Sequence, residues 1–283
     1  VMLDSAMLGP PNPLSTRQEG ASMTLQHPAY AQLRQVTPVA AVMLENNPSM
    51  YALEGTNTWI LRTPGNDECI VVDPGDDDPA HLARVAGAGT VVLTLISHRH
   101  HDHTGGIDRF FDLTGAPVHA VQEQLRRGGG AGLENDELIE AAGLTLRVLR
   151  TPGHTADSVS FVIEDEGSVL TADTILGRGT TVLDASDGNL GDYLQSMRTL
   201  IGLGAGRMVL PGHGPELPDL ESVAKRYLAH REERLSQIRG ALDTLGADAD
   251  VRAVVEHVYT DIDETLWPAA EQSVRVQLEY LRR

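Results

Sequence analysis

The sequence predicts an α/β protein in which sheets are flanked by helices, followed by a C-terminal helical subdomain. Three observations predict it. Short β-type runs end at Gly, Pro or polar clusters. Stretches of helical periodicity lie between some of them. After Pro218 the texture changes to charged, alanine-rich helix.

In chain order, residues 1–22 are rich in Pro, Ser and Gly without a period. They are expected to be a disordered leader, an upstream start or an expression remnant, outside the fold. A first domain is expected over 23–218. Its strands are read at 58–61, 69–72, 91–96, 144–149, 159–163 and 169–170, with helical character at 79–86 and 104–113. The subdomain is expected over 219–283, with helices at 220–245, 251–258 and 269–281.

Composition narrows the function classes. No apolar run approaches the roughly 20 residues of a membrane span, so no membrane partner is expected. The first 20 residues lack the basic-then-apolar order of a secretory signal, and a cytoplasmic location is expected. Cys69 is the only cysteine, set in the apolar run Cys69-Ile70-Val71-Val72, where it reads as a small buried hydrophobe. The net charge is −18 and Lys225 is the sole lysine. Such a surface repels polyanions at long range, and the tail, with nine basic against thirteen acidic residues, offers no basic patch.

The chemistry concentrates in Ser97-His98-Arg99-His100-His101-Asp102-His103-Thr104-Gly105-Gly106, directly after the apolar run 91–96. In an extended segment His98 and His100 point to the same side. Asp102 and His103 fall where a helix begins, able to face a second ion. Three more candidates follow runs of β character at sharp turns: His154 in Thr151-Pro152-Gly153-His154-Thr155, Asp173 in Thr171-Ala172-Asp173-Thr174, and His213 in Pro211-Gly212-His213-Gly214-Pro215. One such histidine alone would pass as a surface residue; the set together indicates a metal site. Imidazole and carboxylate suit zinc, and manganese or iron fit the same ligands. His27, His81, His230 and His257 read as solvated or partly packed, His119 as a polar residue at a strand end, and His101 as facing away from the ions.

His-x-His-x-Asp-His, then Gly-His, a strand-end Asp and a second Gly-His resemble the motif set of the metallo-β-lactamase superfamily. The resemblance implies an αββα sandwich carrying two zinc ions. His98, His100 and His154 would hold one, Asp102, His103 and His213 the other, and Asp173 would bridge. Asp73, in Val72-Asp73-Pro74-Gly75, matches an acid that orients ligands. A closer similarity is to the lactamase-beta-2-like family, through Gly55-Thr56-Asn57-Thr58-Trp59-Ile60-Leu61, Ile175-Leu176-Gly177-Arg178-Gly179-Thr180-Thr181, the Pro211–Pro215 turn and His230-Arg231-Glu232. It reaches into the tail, which is then winged-helix-like, and implies a hydrolase with single-strand-specific endoribonucleases among its relatives.

The expected mechanism is attack by a metal-bridging hydroxide, with Asp102 as the catalytic acid-base group. Arg178 is expected at the rim of the cleft to bind substrate, with Asn57 as a weaker companion by family likeness. Substrate candidates are single-stranded RNA or a small thioester or lactone, as in glyoxalase II. A mono-iron sulfur dioxygenase and a weak β-lactamase rank lower: Asp102, His103 and His213 would be idle in the former, and classical zinc β-lactamases do not carry a bridging aspartate at the position of Asp173. The C-terminal helices also offer a surface for homodimerisation.

Overall fold

The computed structural model describes residues 27–260, 263 and 266–282. The expected leader, 1–22, lies outside them. Runs rich in Val, Ile and Leu form two sheets whose inner faces meet. The first sheet contains β1 (Leu33–Gln35), β2 (Ala40–Leu44), β3 (Asn57–Leu61), β4 (Glu68–Val72), β5 (Thr90–Leu95) and β6 (Val118–His119), in that spatial order. β1 to β4 pair antiparallel, whereas β4, β5 and β6 run parallel. Helix α1 (Pro79–Ala86) makes the first parallel crossover, and α2 (His101–Thr104) with α3 (Ile107–Thr114) makes the second.

The second sheet contains β7 (Leu138–Ala141), β8 (Leu144–Arg150), β9 (Val159–Ile163), β10 (Val169–Ala172) and β11 (Val209–Pro211), in the order β11-β10-β9-β8-β7. Only β10 and β11 are parallel, and α4 (Leu190–Gly202) lies between them in sequence.

Alternation along the strands explains the layers. Ile70 and Val72 turn inward to pack with Val148, Phe161 and Leu170 of the other sheet, while Cys69 and Val71 turn outward against Leu82, Val85 and Phe110 of α1 and α3. The second sheet's outer face packs Val162 and Val169 against Leu194, Met197 and Leu200 of α4. The result is helices, sheet, sheet, helices.

The stretch expected as one helix over 104–113 is broken at Gly105 and Gly106. A side chain at Gly106 would come within 2.6 Å of the backbone oxygen of Asp76 and 2.8 Å of Leu82, so glycine lets the chain pass close to the turn before α1. Residues 220–245 form α5 (Leu220–Leu245), and α6 (Val251–Val258) and α7 (Trp267–Leu281) follow, with no strand among the tail's described residues. Leu220, Val223, Ala224 and Tyr227 of α5 continue the packing begun by α4, while Ile238 and Ala241 hold Val254, Val255, Val274 and Leu278 of α6 and α7. No helix among the described residues is long and apolar enough to cross a membrane.

The two sheets are joined at one edge. Val159 N donates to Ser97 O at 2.9 Å, and Asn57 N to Gly212 O at 2.8 Å. Segments following β4, β5, β8, β10 and β11 gather at this seam.

Candidate metal centre

Each predicted ligand sits where a strand has just ended and the backbone must turn. Asp73, after β4, has φ 55°, and Ala172, which places Asp173, has φ 43°. Both are left-handed conformations that non-glycine residues rarely hold without support. Asp73 receives that support: its carboxylate accepts from Ser97 N at 2.8 Å and Ser97 Oγ at 2.6 Å, and lies 2.9 Å from His103 Nδ1. At Gly212 an added Cβ would lie 2.4 Å from Asp173 Oδ1 and 3.0 Å from His103 Cε1. Glycine there is what lets the turn bearing His213 close on the other ligands.

The side chains form two groups. His98, His100, His154 and Asp173 bring ligand atoms within 4.8 Å of one another, and so do Asp102, His103 and His213. In the first group His100 Nδ1 lies 3.0 Å from both His98 Nε2 and His154 Nε2. In the second, His213 Nε2 lies 3.3 Å from His103 Nε2 and 3.2 Å from Asp102 Oδ2. Asp173 stands between them: Oδ2 is 3.2 Å from His213 Nε2 and 3.7 Å from His154 Nε2, and Oδ1 is 3.5 Å from His103 Nε2.

All five imidazoles use one nitrogen inward and tie the other to a fixed partner. His98 Nδ1 meets Ser97 Oγ at 2.9 Å, His100 Nε2 meets Asp184 Oδ2 at 2.8 Å, and His103 Nδ1 meets Asp73. His154 Nδ1 meets Val182 O at 2.7 Å and His213 Nδ1 meets Gly55 O at 3.1 Å. Such outer partners fix ring orientation and tautomer, leaving the inner lone pair for a metal. Asp173 Oδ1 is buried without a hydrogen-bond partner. A buried anionic oxygen in that state needs a positive charge beside it, and the residues present fit one.

Charge in the two groups differs accordingly. Burial pushes His154 down to about 4 and His98 well below its usual value. Burial also opposes charge on His103 and His213, but carboxylates overcome it: Asp102, Asp173 and Asp73 raise His103 to about 9, and Asp173 with Asp102 holds His213 well above its usual value. The carboxylates around the second group thus favour positive charge there, whether on the imidazoles or on an ion in its place.

A cavity of about 520 Å³ opens from this cluster. Its walls include Met50, Tyr51, Leu53 and Leu176 on one side and Tyr259, Ala269 and Ala270 of the tail on another.

The family model of the metallo-beta-lactamase superfamily matches residues 52–213, from just before β3 to the last histidine of the cluster. The chain belongs to the metallo-beta-lactamase superfamily. A second model, the beta-lactamase associated winged helix domain, matches residues 251–283. The chain is 31% identical to lactamase-like protein nscB of Neosartorya fischeri over 205 residues, 71% of this chain and 60% of that protein. It therefore spans less than two thirds of that relative. It is 28% identical to lactamase-like protein ptaB of Pestalotiopsis fici over 251 residues, 84% of this chain and 78% of the relative. Among solved structures, a metallo-beta-lactamase family protein from Thermus thermophilus matches with a TM-score of 0.69 at 24% identity, covering 87% of this chain and 94% of that one, a likeness of fold.

Within this metallo-beta-lactamase fold, one expectation changes. Asn57 does not face the cavity; it is buried, and its amide donates to Pro211 O at 3.0 Å and Gly214 O at 2.8 Å, bracing the turn that carries His213. His230, expected to be solvated or partly packed, is half-buried and lines the cavity with Arg231 and Arg234. Arg178 does line the cavity, ion-paired to Glu54. His101 lies outside both ligand groups, with an 84% exposed side chain 3.8 Å from Asp76.

Reading from sequence missed Asp184, Thr181 and Thr56, whose Oγ1 donates to Asp102 Oδ2 at 3.3 Å. Asp184 follows the Arg178 loop without a motif around it, and its role depends on a fold that returns it to His100.

Proposed function

We propose that this chain is a binuclear hydrolase, with zinc as the metal, acting on a small acyl substrate such as a thioester or lactone. The observation that carries the reading is a group of His98, His100, His154 and Asp173 beside a group of Asp102, His103 and His213, with Asp173 in reach of both, at the head of a largely apolar cavity. His98, His100 and His154 would hold one ion and Asp102, His103 and His213 the other, with Asp173 touching both. Bound there, two ions supply a water whose pKa falls from about 15.7 to about 7, and they polarise the scissile carbonyl.

The chain's own residues do the rest. Asp73 lies 2.9 Å from His103 Nδ1, where it would hold the proton on that nitrogen and leave Nε2 to an ion. Asp102 lines the cavity, and in this reading it orients the attacking water and relays its proton to the leaving group. Apolar walls receive the acyl part and exclude competing water. A volume of about 520 Å³ suits a small molecule, and a net charge of −18 disfavours a polyanion.

The test is a hydrolysis panel of acyl thioesters, lactones, short single-stranded RNA and a cephalosporin, each with zinc and with manganese, alongside metal analysis. Turnover of thioester or lactone by protein carrying two ions is expected. RNA cleavage without acyl hydrolysis would overturn the substrate class in favour of the endoribonuclease relatives. Fewer than two ions after reconstitution would overturn the binuclear reading.

A further inference from the structure

We propose that the C-terminal helices hold the first ligand group in register, through Arg231 of α5 and Gln272 of α7, which act as positioning residues on the segment 181–184. This rests on the two-metal reading above.

The segment has no regular secondary structure, yet each of its four residues has a fixed contact. Thr181 Oγ1 lies 3.1 Å from His154 Nδ1, and Val182 O accepts from that nitrogen at 2.7 Å. Asp184 N donates to His154 O at 2.8 Å, and Asp184 Oδ2 meets His100 Nε2 at 2.8 Å. Two of the three imidazoles of the first group are thus oriented by one stretch of irregular chain.

Such a stretch has no ladder of its own to hold it, and the tail supplies the hold. Arg231 Nη2 donates to Thr181 O, and Gln272 Nε2 donates to Leu183 O at 2.7 Å. The carbonyls of residues 181 and 183 are therefore engaged by the tail, and the one between them by His154. Arg231 is 5% exposed, with its guanidinium 5.1 Å from the centre of the Tyr193 ring and its Nε without a hydrogen-bond partner among the described residues. Burying a guanidinium is costly, and here its Nη2 is used on the backbone that orients a ligand.

Arg99, from the catalytic part of the chain, also grips Asp184 at 2.9 Å, so the tail's influence falls on His154 more than on His100. The second group has no such link among the described residues. Its outward nitrogens meet Asp73 and Gly55, which belong to the first sheet's side. The tail should therefore govern the two metal sites unequally.

The test uses the full chain with zinc, and cobalt as a spectroscopic substitute, in Arg231→Met, Arg231→Lys, Gln272→Leu and Val254→Ala. Metal affinity is read by chelator competition, and the site affected by nitrogen-15 shifts of the His154 and His213 rings. Arg231→Met and Gln272→Leu should each weaken the first site by roughly 10- to 100-fold and leave the second unchanged. Arg231→Lys, which still carries a donor, should recover part of the loss. Val254→Ala opens the packing among the tail helices without touching the segment; it should lower Tm and leave both affinities alone.

Wild-type affinities at both sites in Arg231→Met and Gln272→Leu would overturn the proposal. So would an equal loss in Val254→Ala, since that would mark a general effect of loosening the tail. Wild-type protein binding fewer than two ions would instead remove the two-metal premise, a different failure visible before any variant is made.

Discussion

Asp173 is within reach of His154 of the first ligand group and of His103 and His213 of the second, and its Oδ1 is buried with no hydrogen-bond partner. Its carboxylate serves as a shared counter-charge, so Asp173→Ala should reduce hydrolysis at least about 100-fold with an unchanged circular dichroism spectrum. Asp102→Ala should do the same, since it removes a ligand and the proposed proton relay together. His101→Ala, at a side chain 84% exposed and outside both groups, should cost only a few-fold. Equal losses in all three would show that His101 has been misplaced. Arg178 tests the substrate side: for an anionic substrate, Arg178→Ala should raise KM by about tenfold with a smaller change in kcat, because the contact would hold ground and transition states alike. An unchanged KM across all anionic members of the panel would remove it from the binding site.

His81 shows what packing of a helix on a sheet does to a titratable group. It sits in α1, capped by Asp78, whose carboxylate accepts from Ala80 N at 2.8 Å and His81 N at 3.3 Å. Its ring meets Thr58 of β3 at 2.9 Å. Burial lowers its pKa from 6.5 to about 4. Between those values the unfolded chain binds a proton that the native state refuses, so this contribution is present above pH 6.5 and lost as pH falls through 4. It amounts to on the order of 3 kcal/mol. Urea unfolding at pH 7 and pH 4.5 should show that slope, and His81→Gln should flatten it. The same packing decides what was legible in the sequence. Residues 79–86, 159–163 and 251–258 carry local signals, a Pro at a helix start, a short run rich in β-formers and an amphipathic spacing of valines, and they coincide with α1, β9 and α6. β1 is exposed along its length, and β6 and β11 are two and three residues long, so they exist only through pairing with neighbours. α4 carried a readable spacing at Leu190, Tyr193, Leu194, Met197 and Leu200, which the reading passed over. The His and Asp residues of the two groups were legible as candidates because their types are rare and His98 to His103 are closely spaced. Thr181, Asp184 and the carbonyls of Gly55 and Val182 were not, since a backbone oxygen leaves no trace in sequence and the fold alone brings these segments together.

Taken whole, the molecule places its cluster on the seam between two sheets. His98, His100, Asp102 and His103 follow β5 of the first sheet, whereas His154, Asp173 and His213 follow β8, β10 and β11 of the second. Ions held there would fasten the sheets to each other. Ligand binding to the native state alone adds about 2.7 kcal/mol at a free concentration 100 times Kd, so chelation should lower Tm by several degrees. Amide exchange should quicken first at Val159 and Asn57, whose N–H groups cross the seam. A Tm indifferent to chelator would mean that the sheets dock without help. The spread of the ligands along the chain also has a consequence for biosynthesis. More than a hundred residues separate His98 from His213, and each ligand group draws on both sides of the seam. A nascent chain still threading the ribosome exit tunnel at His213 has made the whole first sheet but lacks one ligand of the second group. Under the two-metal reading the second ion can be fully held only after His213 has left the tunnel, so its loading would follow the making of the first sheet.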